Sequence, residues 1–220
     1  MNILEKLRND AELLEKVEAV CGFFILDNNK KRSPSNDAGL KFSIESETFA
    51  TSAAAEDFDI LPDGSIGYSE HEYDRVCGRI AENMKEFLEF TLNCDANFAL
   101  VNYGRKELAN NHVLLAQEVA KREPEGKKML LECFDYGCDD LDDNLTNNEL
   151  ESVIEAKYDT LKKEVAEALG LTISDDISKD ILPRYYKAAQ REPLYYWESD
   201  NDSHTWEDEV LARSRDLIRE

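Results

Sequence analysis

Residues 49–92 decide the fold. They read Phe49-Ala50, then Glu56-Asp57-Phe58-Asp59-Ile60-Leu61, Pro62-Asp63-Gly64 and Ser65-Ile66-Gly67-Tyr68-Ser69-Glu70. After a polar link comes Arg79-Ile80-Ala81-Glu82-Asn83-Met84-Lys85-Glu86-Phe87-Leu88-Glu89. Phe58 and Ile60 alternate with Asp57 and Asp59, the period of a strand with one wet face. Ile66 and Tyr68 alternate with Ser65, Gly67 and Ser69 in the same way. Pro62-Asp63-Gly64 joins the two runs with turn chemistry: proline presets φ, aspartate caps, and glycine accepts a positive φ. From Ile80 the period lengthens. Ile80, Met84, Phe87, Leu88 and Leu92 share one helical face, and Glu82, Lys85, Glu86 and Glu89 lie away from it. The pattern predicts a hairpin that hands its apolar face to an amphipathic helix.

This order resembles the end of a SUKH domain. In that superfamily an antiparallel sheet finishes in an acidic, aromatic-bearing hairpin. A closing helix follows, with a pattern like Ile-Ala-Asp-Asn-hydrophobic-x-Glu-Phe-Leu-Glu, and the corresponding residues here run from Ile80 to Glu89. Many members open with a longer helix pair and a loop bearing tryptophan or glycine-glutamate. Here the segment before Phe23 is short, and Trp197 is the first tryptophan. The resemblance implies an α+β domain used for protein binding. Bacterial members are commonly immunity proteins that neutralise toxins; others regulate cell-wall synthesis or associate with secretion machinery.

Working outward towards the N-terminus, Asn2 with Glu5 three residues on marks a helix start. Leu4, Leu7, Ala11, Leu14 and Val17 continue as an apolar stripe, and Gly22 stops it. Phe23-Phe24-Ile25-Leu26 reads as a short buried strand, and Asp27-Asn28-Asn29 as a turn. Residues 30–39, with the basic run Lys30-Lys31-Arg32, read as a solvated loop. Leu40, Phe42 and Ile44 alternate as a half-buried strand, and residues 50–55 as a bulge or loop.

After Cys94 the texture is helical. Leu108, Leu115 and Val119 begin one helix that stops by Pro124, and Leu130, Cys133, Phe134 and Gly137 mark a second. Leu150, Ile154, Tyr158, Leu161 and Val165 mark a long one ended by Gly170. Ile177 and Ile181 precede Pro183, which starts or kinks a helix. Glu207, Val210, Leu211, Leu217 and Ile218 suggest a last amphipathic helix. The expected architecture is α+β: an antiparallel sheet with flanking helices over residues 1–95, then a helical region, 96–220, packed on it.

The chain has 48 acidic against 26 basic residues, a net charge of −22, with 42% hydrophobic residues. The apolar share supports a core. The charge opposes binding to nucleic acid and to anionic membranes, and favours encounter with a basic protein. The same charge also serves solubility alone. Five cysteines without a CxxC pair and three histidines without a ligand motif fit a reducing compartment rather than a disulfide or zinc framework. No apolar run reaches bilayer length and no leader pattern opens the chain, so the expectation is a cytoplasmic protein.

Three stretches bear on function. Asp57, Asp59, Asp63, Glu70, Glu72 and Asp74 gather around the hairpin, either as a docking surface for a basic partner or as a solvated strand face. Tyr195, Tyr196 and Trp197 supply aromatic anchors for an interface, or packing between helices. Asp140 to Glu151 has the oxygen spacing of a calcium loop. Yet Leu145 stands where that loop needs glycine, and Thr146 with Glu149 reads as a capping box instead. No phosphate-binding, dinucleotide, metalloprotease or serine-hydrolase motif occurs. The expectation is therefore no cofactor, no metal and no enzymatic activity, but a protein binder. With the resemblance, that becomes an immunity protein masking a basic, nuclease-like toxin. A regulatory or scaffold module, or an enzyme without familiar motifs, is the alternative.

Overall fold

The computed structural model describes residues 2–32, 41–42, 44–52, 56–70, 77–94, 113–114, 116–117, 119–121, 127, 147–189, 191, 195–199 and 202–205. Two helices open the chain, α1 (Ile3–Asn9) and α2 (Ala11–Cys21). Asn2 and Glu5 form the expected capping box. The single helix expected up to Gly22 is instead broken at Asp10, whose extended backbone ends α1 while its carboxylate accepts from the Leu13 N–H to cap α2. The break resets the helical phase. Leu13 is buried and Ala11 exposed, against the continuous stripe the spacing suggested. Gly22 does close α2, in the left-handed region at φ 78°.

Five strands form one antiparallel sheet in chain order, apart from a short strand set aside: β1 (Phe24–Arg32), β3 (Ser46–Thr51), β4 (Glu56–Ile60), β5 (Ile66–Glu70) and β6 (Cys77–Ala81). Asp27–Asn29 is not a turn. The pairing passes from Ile25–Ala50 to Lys30–Thr48, so these residues are a bulge inside β1. Lys30–Arg32 is likewise strand rather than loop. The Pro62-Asp63-Gly64 turn is as read: Gly64 sits at φ 83°, and its N–H reaches the Leu61 carbonyl at 2.9 Å. Ile80-Ala81, read as the start of the helix, belongs to the edge strand β6. The helix α3 (Met84–Cys94) begins after Asn83, whose side chain accepts from the Glu86 N–H at 3.0 Å.

The core sits between the sheet and α3. Phe87 meets Phe23, Phe49 and Phe58 with ring centroids 5.1–5.6 Å apart. Helix α3 is buried on a second side as well. The helices α4 (Asn147–Leu169), α5 (Ile177–Asp180) and α6 (Leu182–Ala189) follow the first half, and α6 packs on β6 and α3. Phe90 stacks on Tyr185 at 4.5 Å, and the Tyr158 hydroxyl donates to the Val20 carbonyl at 2.9 Å, tying α4 to α2. Buried residues of both halves form one cluster. The chain is thus an α+β protein whose antiparallel sheet is followed by a largely helical region.

That region also contains strands. β7 (Tyr195–Ser199) and β8 (Asp202–Thr205) form a hairpin, and β7 pairs with the two-residue β2 (Lys41–Phe42) in a separate three-stranded sheet. Phe42 therefore lies opposite Tyr196 rather than in the main sheet. No helix among the described residues is long and apolar enough to cross a membrane. The helices expected around 130–137 and 207–218 lie outside the described residues.

Candidate functional site

The acidic hairpin was expected to turn a wet face outward. Asp57 and Asp59 do lie on the face opposite Phe58, but an arginine from β1 lies across them. Arg32 Nη1 donates to Asp59 Oδ2 at 2.8 Å and to Ser69 Oγ at 3.1 Å, and Nη2 donates to Asp57. Ser46 Oγ adds a bond to Asp59 Oδ2 at 3.1 Å. Arg32 and Asp59 are each only 5% exposed. At Asp59 this is therefore a dry face carrying a charge network, not a solvated one. Two atoms in it, Asp59 Oδ1 and the Oγ1 of Thr48 directly opposite, are buried without a hydrogen-bond partner. A groove of about 450 Å³ runs beside the network, between Lys31, Arg32, Ser46 and Leu61-Pro62.

Asp63, at the hairpin tip, is engaged from another direction. Its carboxylate accepts from the Ser65 N–H at 3.0 Å and from Arg191, beyond α6, which also binds Glu82 at 2.7 Å. Arg79 stands 3.7 Å away. Partial desolvation opposes ionisation of Asp63, but the Ser65 hydrogen bonds and the two guanidinium groups outweigh it and hold the carboxyl down at about 2. Glu70 ends β5 opposite Glu56. Glu72 and Asp74 lie outside the described residues, as does the loop 140–146. The three hairpin carboxylates whose surroundings are described are thus each held by arginine. Among the described residues no cluster of histidine, cysteine or carboxylate side chains gathers as a metal site.

Tyr195, Tyr196 and Trp197 form the central strand of the small sheet, paired with β2 on one side and β8 on the other. They are strand residues.

Three residues with structural weight escaped the sequence reading. Arg32 looked like part of a solvated basic run. Glu56 is 1% exposed and accepts from the Tyr68 hydroxyl at 3.0 Å and Ser52 Oγ at 2.6 Å. Glu89, placed on the outer face of its helix, is 2% exposed. It accepts from Arg184 at 2.6 Å and from the Thr172 N–H at 2.9 Å. A buried carboxylate needs partners, and those of Glu89 lie more than 80 residues away in sequence, so no local signal could reveal them.

With Asp57, Asp59 and Asp63 held by arginine, a second exposed acidic surface lies on the helices. The helices α2 and α4 together carry nine acidic residues against four lysines. They lie side by side, with Lys16 bridging Glu12 and Glu164 at 2.8 and 2.9 Å. Glu12, Glu15, Glu155, Glu164 and Glu167 are exposed along this ridge.

No family model matches the chain. Neither the curated proteins nor the solved structures provide a match.

Proposed function

We propose that the chain is a protein-binding module that captures a basic partner, in the manner of an immunity protein masking a toxin of nuclease type. The observation that carries this reading is the acidic ridge on α2 and α4. It is exposed where Asp57, Asp59 and Asp63 are paired with arginine within the fold, and the whole chain has a net charge of −22. A net-acidic ridge on a strongly acidic body accelerates encounter with a basic surface and disfavours anionic partners. In this reading the docking role considered for Asp57, Asp59 and Asp63 passes to these helices.

The test is capture by the tagged protein from lysate of its own source cells, washed at low and then high salt. A basic protein held at low salt and released by high salt is the expected result, and a toxin among the eluates would identify the partner. Reversing Glu15 and Glu167, the exposed ridge acids outside the Lys16 bridge, to lysine should weaken capture while the melting temperature stays close to wild type. Capture that ignores both salt and charge reversal would sink the reading.

A further inference from the structure

A cleft of about 600 Å³ shares Glu47 and Ile60 with the groove beside Arg32. Leu4, Ile60, Ile66 and Met84 give it an apolar lining, Asn2 and Glu5 stand at its α1 end, and one wall is polar. That wall is a single hydrogen-bonded series. Arg8 Nε and Nη2 donate to the Leu26 carbonyl at 3.0 and 2.8 Å, and Nη2 also donates to Asn29 Oδ1 at 2.5 Å. Asn29 Nδ2 then donates to Glu47 Oε2 at 2.9 Å. The bulge in β1 makes this possible, because it brings Asn29 between a helix residue and a neighbouring strand. Among the described residues, Arg8 Nη1 and Glu47 Oε1 take no hydrogen bond at the two ends of the series. A cationic donor and an anionic acceptor thus stand on either side of one side-chain amide, above an apolar floor.

We propose that this cleft binds a short zwitterionic peptide, a dipeptide of apolar residues with free termini. Its carboxylate pairs with Arg8 and its ammonium with Glu47, while its side chains rest on Leu4, Ile66 and Met84. The volume lies within the range of small-molecule sites, which combine apolar walls with a few placed polar groups. Charge-assisted bonds at both ends supply the specificity, since each is roughly twice as strong as a neutral one. This proposal does not rest on the protein-binding reading.

The test is calorimetric titration of the full chain with Leu-Leu, with N-acetyl-Leu-Leu and with the C-terminal amide of Leu-Leu. Saturable binding of Leu-Leu is expected, weakened about tenfold or more by either cap. Glu47→Gln keeps an acceptor for Asn29 and removes only the charge, so it should weaken Leu-Leu and leave the acetylated peptide unchanged. The two capped peptides test the same point on the wild-type chain, without reliance on any variant folding. Equal affinity for all three peptides, or no saturable binding of Leu-Leu at about 10 mM, would overturn the proposal.

Discussion

Asp59 shows how a single residue changes meaning between sequence and structure. On an alternating strand it reads as a solvent-facing acid; in the fold it is the buried partner of Arg32. Removing one member of a buried pair leaves the other uncompensated. Asp59→Ala should therefore destabilise the protein by about 3 kcal/mol, read as a lower urea midpoint. Capture of a basic partner at temperatures where the variant stays folded should be unaffected, because the acidic ridge is untouched. Glu89 predicts a pH response. Burial works against its charge, but the Arg184 and Thr172 hydrogen bonds prevail and hold its carboxyl below the ordinary 4.5. A carboxylate with a depressed folded pKa stabilises the fold above its unfolded value and loses that contribution as pH falls through the folded one. Asp63, held at about 2, acts in the same direction. Urea stability should thus fall as pH drops from about 4.5 towards 2. Glu89→Gln should flatten this slope while lowering stability at pH 7.

At the scale of elements, the hairpin turn and helix α3 repay separate tests. Gly64 has φ 83°, and a Cβ there would meet nothing within 4 Å. Any cost of Gly64→Ala is therefore backbone strain alone, about 1 kcal/mol, and thermal melting should show a small loss without disruption of the core. Helix α3 was legible as amphipathic from Met84, Phe87, Leu88 and Leu92, and those residues do face inward. Its start was misplaced because Ile80-Ala81 fits a helical period as well as a strand, and pairing with β5 selects the strand. Its second buried side was invisible because Glu89 and Asn93 are polar. Asn93 is held through the Thr172 carbonyl and the Ser174 N–H, at 2.9 and 2.8 Å. Polar residues with such distant partners carry no hydropathy signal.

At the scale of the molecule, α3 lies between the sheet and the later helices, so the first half has no complete core of its own. A chain ending at Cys94 would expose Phe90, which stacks on Tyr185, and leave Glu89 without Arg184. It should melt without cooperativity and bind a hydrophobic dye, whereas the full chain should unfold in one transition. The sequence by itself determined the α+β class, the Pro62-Asp63-Gly64 hairpin, the closing helix, the long helix ended by Gly170, and the acidity. Each of these rests on local periodicity, backbone preference or a simple sum of charge. Only the tertiary structure decided that Arg32 pairs with Asp57 and Asp59, that Asp27–Asn29 is a bulge setting Asn29 between Arg8 and Glu47, and that Tyr195–Trp197 is a strand. Those outcomes depend on pairing and hydrogen bonding between residues distant in the chain. The neighbour that satisfies a buried charge is chosen by packing, and sequence spacing does not record it.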